Sequence, residues 1–234
     1  MADITDAVVI GASGGIGSKI ASRLSTRPDI ARVHRLSRRS GEIDIADAGS
    51  IAAAAERVAG EAQAPIGLVF VATGLLHGPD GIQPEKDWRS LDATALARYF
   101  AVNAIGPAMV ARHFMPLLPR QGRSVFAVLS ARVGSIGDNR LGGWYGYRAS
   151  KAALNQFIRT FSVELARKRP RAICVALHPG TVATGLSEPF SGNVASERLF
   201  LPGEAAGHLL GVVDGLDIAD NGGFFAWDGS RIEY

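Results

Sequence analysis

A repeated alternation of short apolar runs with segments of helical apolar spacing most constrains the fold of this chain. The first apolar run covers 7–10, and the segment after it has Ile16, Ile20 and Leu24 four residues apart on one helix face. Runs as uniformly apolar as these are typical of strands covered on both faces. The pattern therefore predicts a doubly wound α/β fold with a mostly parallel sheet and helices on both sides.

The predicted elements alternate along the whole chain. Predicted strands cover 7–10, 33–36, 43–45, 68–71, 124–129, 172–177 and 223–227, and predicted helices cover 16–24, 50–59, 93–118, 147–167 and 204–213. A parallel crossover needs about a dozen residues, so we expect no full helix between 33–36 and 43–45. Because no linker or repeat divides the chain, residues 1–234 are expected to form one domain.

Composition excludes several classes of protein. The chain has 234 residues, 47% apolar and 20% charged, which argues against disorder. Its net charge of +3 is too small to indicate a nucleic-acid partner. A single cysteine, Cys174, excludes an intramolecular disulfide, and the five histidines show no metal-ligand spacing, so no metal is expected. The longest apolar run, near 66–76, is about half a membrane span. We therefore expect a cytoplasmic protein without a membrane partner.

A glycine-rich turn, GASGGIG at 11–17, follows the first predicted strand and opens a helix. Gly11 permits the tight turn, Gly15 removes a side chain where a pyrophosphate would approach, and Gly17 lets the helix pack against its strand. The helix N-terminus offers free N–H groups to an anion. An ordinary turn is the alternative, but the strand before it and the helix after it favour dinucleotide binding.

The end of the second predicted strand indicates which dinucleotide would bind. Ser37, Arg38 and Arg39 occur where an acidic side chain would accept hydrogen bonds from the ribose of NAD. A serine and a guanidinium can instead bind a 2′-phosphate, which a carboxylate would repel. NADP(H) is therefore the expected cofactor, and a solvated turn formed by the two arginines is the alternative.

Tyr147 and Lys151 lie four residues apart, on one face of a predicted helix. Tyrosine, with an unperturbed pKa of about 10, is a poor acid or base at neutral pH. A nearby cation stabilises the phenolate and makes proton transfer more accessible. Alone this spacing is common in helices, so it indicates chemistry only together with other motifs.

Four motifs occur in the order known from one enzyme family: 11–17, Asn103 within VNAIGP, YRASK at 147–151, and PGTVAT at 179–184. Together they make the chain, over essentially its whole length, resemble the classical short-chain dehydrogenase/reductases. The stretch 133–147 and the ending GFFAWDG are more narrowly similar to C-factor-like and carbonyl reductase-like members. The resemblance implies a Rossmann-type sheet of seven strands and hydride transfer between NADP(H) and a ketone, aldehyde or alcohol on a small molecule.

The resemblance also implies a role for each matching residue. Tyr147 would protonate the carbonyl oxygen, or act as the base in the reverse direction. Lys151 would bind the nicotinamide ribose and support the phenolate, and Asn103 would interrupt its helix to hold a water of the proton relay. The implied cofactor-binding residues are Gly11, Ser13, Gly15, Ile16, Gly17, Ser37, Arg38, Asp44, Ile45, Gly74, Tyr147, Lys151, Pro179, Gly180 and Thr184.

Two positions depart from the family pattern. Residues 72–74 read Ala-Thr-Gly in place of Asn-Ala-Gly, with Thr73 as the candidate substitute for the missing amide. More seriously, Ala131 occurs where the family has a catalytic serine, and alanine cannot donate a hydrogen bond to a substrate carbonyl. Ser130 and Ser135 are both candidates for that donor.

The missing serine keeps a second function open, a dinucleotide-binding signalling or sensor protein with weak or no turnover. The retained tyrosine, lysine and asparagine favour the enzyme. Trp144, Leu186 and Phe190 are expected to form a substrate wall, with core packing as the alternative, and the loop after Pro179, through Leu186 to Glu197, is expected to close over the substrate. By family analogy the chain is expected to form a homodimer or homotetramer.

Overall fold

A computed structural model of the chain describes residues 4–78, 81–187, 189 and 199–234. Its strands are β1 (Thr5–Ile10), β2 (Ile30–Leu36), β3 (Ile66–Val71), β4 (Ser124–Leu129), β5 (Ala172–His178), β6 (Thr181–Val182), β7 (Leu199–Phe200) and β8 (Phe224–Ala226). The main sheet has the order β2-β1-β3-β4-β5-β8, and every neighbouring pair in it is parallel. The short strands β6 and β7 form a separate parallel pair. The predicted doubly wound architecture is confirmed.

The helices are α1 (Gly15–Leu24), α2 (Ala48–Glu61), α3 (Ala93–Phe100), α4 (Gly106–Phe114), α5 (Tyr145–Lys168) and α6 (Pro202–Gly215). They cover both faces of the sheet, and successive strand residues alternate between two cores. In β1, Val8 and Ile10 pack with α2, α4 and α5, whereas Ala7 and Val9 pack with α1 and α6. Burial on both faces explains why most positions of the central strands β1, β3, β4 and β5 are apolar. In the described ranges, no helix combines the length and apolar character needed to cross a membrane.

The predicted strand at 43–45 is wrong. Ile43 is buried in the core, as a strand residue would be. The next residue bonds locally instead of joining the sheet: the Asp44 N–H donates to Ser50 Oγ (2.8 Å), and the Asp44 carbonyl accepts the Asp47 N–H (3.1 Å). The main sheet therefore has six strands rather than seven. No helix lies between Leu36 and Ile43, as predicted.

The helix predicted over 93–118 is interrupted. It consists of α3, a π-helical turn at Ala101–Ile105, α4, and a 3₁₀ turn at Met115–Leu117. A π-helical turn adds one residue to the hydrogen-bonded ring and often marks a functional site. Asn103 lies in the middle of this turn and is completely buried.

Candidate functional site

Two adjoining clefts of about 650 Å³ each lie at the carboxyl ends of the central strands, where ligands of open α/β sheets bind. They share Ser13, Gly14, Arg39 and residues 72–74, and so form one groove. The predicted cofactor residues lining the first cleft are Gly11, Ser13, Ser37, Arg38, Asp44, Ile45 and Gly74. Those lining the second are Ser13, Gly15, Ile16, Gly74, Tyr147, Lys151, Pro179, Gly180 and Thr184. The fold therefore brings distant motifs together along one surface.

The glycine-rich turn is held by close backbone approaches. Gly11 has a φ of 85°, and a Cβ there would lie 2.8 Å from the Ala72 oxygen. A Cβ on Gly17 would lie 2.3 Å from the Gly11 oxygen, so Gly17 serves packing and does not line the groove. A Cβ on Gly15 would lie 2.6 Å from Cγ2 of Thr184. Because α1 has no side-chain cap, its first turn can offer N–H groups to an anion.

A turn with two exposed arginines follows β2. Arg38 and Arg39 are exposed, and neither guanidinium has a hydrogen bond or ion pair with any residue that the structure describes. Between them and α2, the Glu42 carboxylate accepts the Ser37 N–H (3.1 Å) and the Ser40 hydroxyl. Glu42 thus occupies donors that a 2′-phosphate could use, a contact that sequence reasoning missed.

Thr73 gives an independent indication of a polar ligand. Its Oγ1 is buried and has no hydrogen-bond partner among the described residues. Thr73 nevertheless lines both clefts. Buried hydroxyl groups are seldom left unsatisfied. The orphaned hydroxyl, the uncapped helix and the two unpaired guanidinium groups together fit a phosphorylated dinucleotide.

Tyr147 and Lys151 line the second cleft from α5 and are 7% and 2% exposed. Lys151 Nζ donates to the Leu129 oxygen (2.8 Å). Burial lowers the pKa of Lys151 to about 7, and burial, with a smaller contribution from Tyr99, raises the pKa of Tyr147 well above its usual value. Desolvation therefore favours the uncharged forms of both the phenol and the amine.

The Asn103 amide connects the loop after β3 to α5. Its Nδ2 donates to the Leu75 oxygen (2.8 Å) and to Ser150 Oγ (3.1 Å), and its Oδ1 accepts the Leu75 N–H (2.7 Å). A Cβ built on Gly74 would lie 3.7 Å from Asn103 Oδ1 and 3.8 Å from Lys151 Nζ. Asn103 therefore lies beside the lysine, in the helix interruption that the family resemblance implied.

The two serine candidates occupy different environments. Ser130 lines the second cleft, but its hydroxyl donates to the buried Asn155 Oδ1 (2.7 Å). Ser135 is buried, its hydroxyl accepts the Asp138 N–H (3.1 Å), and it is not among the described residues that line the cleft. Ala131 does line the cleft and packs against the cluster that contains Tyr147.

The rest of the second cleft is apolar apart from a few polar groups. Trp144 and Leu186, which are expected to form a substrate wall, line it, whereas residue 188 and residues 190–197 of the predicted closing loop, including Phe190, lie outside the described residues. His178 also lines it, with a buried Nδ1 that has no described partner, and burial lowers its pKa to about 4. Among the described residues, no group of three His, Cys, Asp or Glu side chains could hold a metal ion.

Comparison with known proteins gives consistent matches. A family model described as short chain dehydrogenase matches residues 5–194. The chain is 36% identical over 145 residues to C-signal of Myxococcus xanthus, covering 62% of this chain and 81% of that protein. It is 35% identical over 145 residues to 1-hydroxy-2-glutathionyl-2-methyl-3-butene dehydrogenase of Rhodococcus, covering 62% of this chain and 61% of that protein.

Solved structures share the fold at low sequence identity. Carbonyl reductase Sniffer of D. melanogaster superposes with a TM-score of 0.82 at 21% identity, covering 99% of this chain and 100% of that chain. NADPH-bound carbonyl reductase from chicken fatty liver superposes with a TM-score of 0.81 at 22% identity, covering 100% of this chain and 96% of that chain.

Proposed function

Because this chain belongs to the short-chain dehydrogenase family, we propose that it is an NADP(H)-dependent oxidoreductase acting on a small, fairly apolar molecule. It reduces a ketone or aldehyde, or oxidises the corresponding alcohol. One observation carries the proposal: Tyr147 and Lys151 line the same groove as the glycine-rich turn and the unpaired Arg38 and Arg39.

The groove offers a site for each part of NADP(H). The uncapped N-terminus of α1 at Gly15 would hold the pyrophosphate, and Ser37 with Arg38 would hold the 2′-phosphate. Asp44 and Ile45 would contact the adenine. At the other end of the groove, Pro179, Gly180 and Thr184 would contact the nicotinamide half. When bound, the cofactor supplies or accepts the hydride.

Tyr147 is the proposed proton donor to the carbonyl oxygen. The phenol is protonated at neutral pH, which is the state that reduction requires, and burial, by raising its pKa, makes it a weaker acid than an exposed tyrosine. Lys151, with a pKa of about 7, can carry or release a proton near neutrality beside this phenol. Asn103 binds both the loop at Leu75 and helix α5 at Ser150, and so holds that loop in a fixed position relative to the helix that carries Tyr147 and Lys151.

The proposed reaction is tested by following NADPH oxidation across a panel of ketones and aldehydes. Wild type is expected to be active, and Tyr147→Phe to lose at least about 100-fold in kcat, the scale of general acid catalysis. Tyr145→Phe is the matched control, because it removes a phenol from the same helix two residues away. Equal activity in wild type and Tyr147→Phe would contradict the proposed role of Tyr147. Tighter binding of NADH than NADPH to wild type would contradict the cofactor assignment.

A second candidate function is a dinucleotide-binding sensor with little turnover. Ala131 at the position of the expected donor favours it, as does the similarity to a relative named C-signal. NADPH binding with no turnover on any carbonyl in the panel would select this function. Homodimer or homotetramer formation and cytoplasmic location stay predictions from the sequence.

A further inference from the structure

We propose that Glu85, which belongs to none of the motifs, is a positioning residue for Tyr147; the inference rests on the proposed function. Glu85 is 5% exposed and lies in the loop between β3 and α3. Its Oε2 accepts the Gly146 N–H (3.1 Å), and its backbone oxygen accepts the Trp144 N–H (2.5 Å). Both donors belong to the start of α5, directly before Tyr147.

The start of α5 lacks a cap from its own sequence. Trp144, at the N-cap position, has a left-handed backbone (φ 54°, ψ 42°) and provides no side-chain cap. A helix N-terminus leaves several N–H groups without partners inside the helix and favours a negative charge beside it. Glu85 supplies acceptors for these N–H groups from a distant part of the chain.

Close packing connects Glu85 to the phenol ring of Tyr147 through Gly146 and Tyr99. A Cβ on Gly146 would lie 2.5 Å from Cδ2 of Tyr99 and 2.9 Å from Oε1 of Glu85, so glycine is required at this contact. The Tyr99 ring in turn lies edge-on to Tyr147, with centroids 6.4 Å apart. The Tyr99 hydroxyl is fixed by donation to the Leu76 oxygen (2.7 Å). The carboxyl group, Gly146 and the two tyrosine rings thus form one contiguous unit.

Stability alone does not account for this carboxyl group. Its Oε1 is buried and has no partner among the described residues. Burying a polar atom without a hydrogen bond is unfavourable. A carboxyl group in such surroundings, one hydrogen bond from the turn that carries the proposed acid, is better explained by the positioning of that acid.

Two variants separate the position of the hydrogen-bond acceptor at residue 85 from the presence of a carboxyl group there. Glu85→Gln keeps an acceptor at the same distance from Gly146, whereas Glu85→Asp keeps the carboxyl group but withdraws it by one methylene. We expect Glu85→Gln to retain kcat for carbonyl reduction within about threefold, and Glu85→Asp to lose about 10- to 100-fold, as expected for a small misplacement of a reacting group. NADPH affinity is expected to change less than about twofold in both, because the glycine-rich turn is untouched.

Asp92→Ala is the matched control, since Asp92 Oδ1 caps α3 by accepting the Ala95 N–H (2.8 Å). It is expected to lower Tm without lowering kcat. Amide hydrogen exchange over 144–150 gives a readout independent of turnover and is expected to increase only in Glu85→Asp. The proposal is overturned if Glu85→Asp leaves either kcat or the amide exchange over 144–150 unchanged. It is also overturned if Glu85→Gln or Asp92→Ala loses as much kcat as Glu85→Asp. Failure of the proposed function would instead appear as no turnover of any carbonyl by wild type, and failure of the role of Tyr147 as unaltered turnover in Tyr147→Phe.

Discussion

Replacing Ala131 by serine tests most directly whether the site lacks a hydrogen-bond donor. The Ala131 backbone is extended (φ −147°, ψ 143°), a conformation that serine adopts without strain. The residue lines the second cleft and packs against the cluster that contains Tyr147. Ala131→Ser therefore adds one hydroxyl group beside the proposed acid with little change in volume.

The increase in kcat expected for Ala131→Ser follows from the hydrogen bond that the Ser130 hydroxyl already makes. To reach a substrate oxygen, Ser130 must release its 2.7 Å hydrogen bond to the buried Asn155 Oδ1. Leaving a buried acceptor unpaired costs about 1–3 kcal/mol, which corresponds to about 5- to 150-fold in rate. A donor to developing negative charge is itself worth about 10²–10³-fold. Because a serine at 131 avoids the loss at Asn155, we expect at least about a fivefold increase in kcat.

The assay is NADPH oxidation with the best carbonyl substrate of the panel, measured for wild type, Ala131→Ser, Ser130→Ala and Ser135→Ala. Ser135→Ala is expected to match wild type, because the hydroxyl lost is bonded to the Asp138 N–H. The reasoning is refuted if Ala131→Ser gives no increase while Ser130→Ala removes activity. Ser130 would then already serve as the donor without a measurable penalty.

Two other predictions concern charge. Glu42→Gln is expected to tighten NADPH binding about three- to fivefold with little effect on NADH binding, because the Glu42 carboxylate on Ser37 and Ser40 competes with a 2′-phosphate. Binding titrations with both cofactors check this, with Glu56→Gln on α2 as the charge-matched control. Equal effects on the binding of both cofactors would contradict the prediction. For Lys151, burial lowers the folded-state pKa to about 7 from 10.5. The unfolded chain therefore binds more protons between these values, so this lysine makes the free energy of unfolding rise with pH across that window. Denaturant titrations of the ligand-free protein should show a shallower rise in Lys151→Met, and an identical slope would count against the assignment.

The fold was predictable where burial on both faces determined the sequence. Alternate residues of β1 serve two different cores, so its last four positions, 7–10, are all apolar and give a clear strand signal. The same signal misidentified 43–45, because Ile43 is buried in one core while the backbone after it bonds within the turn into α2. Apolar spacing likewise continued through Ala101–Ile105, since a π-helical turn changes the hydrogen bonding and not the residue types.

The residues of the candidate site were predictable only where they belong to short, continuous sequence motifs. The glycine-rich turn and the pair on α5 each depend on spacing within one element, whereas Glu85 contacts Gly146 across 61 positions and carries no local signal. The choice between Ser130 and Ser135 depended on where β4 ends. The strand ends at Leu129, and a 3₁₀ turn at Arg132–Gly134 follows, so strand alternation no longer applies at Ser135. That turn directs the Ser135 hydroxyl to a local N–H and leaves Ser130 bound to α5, and neither outcome can be deduced from residue parity.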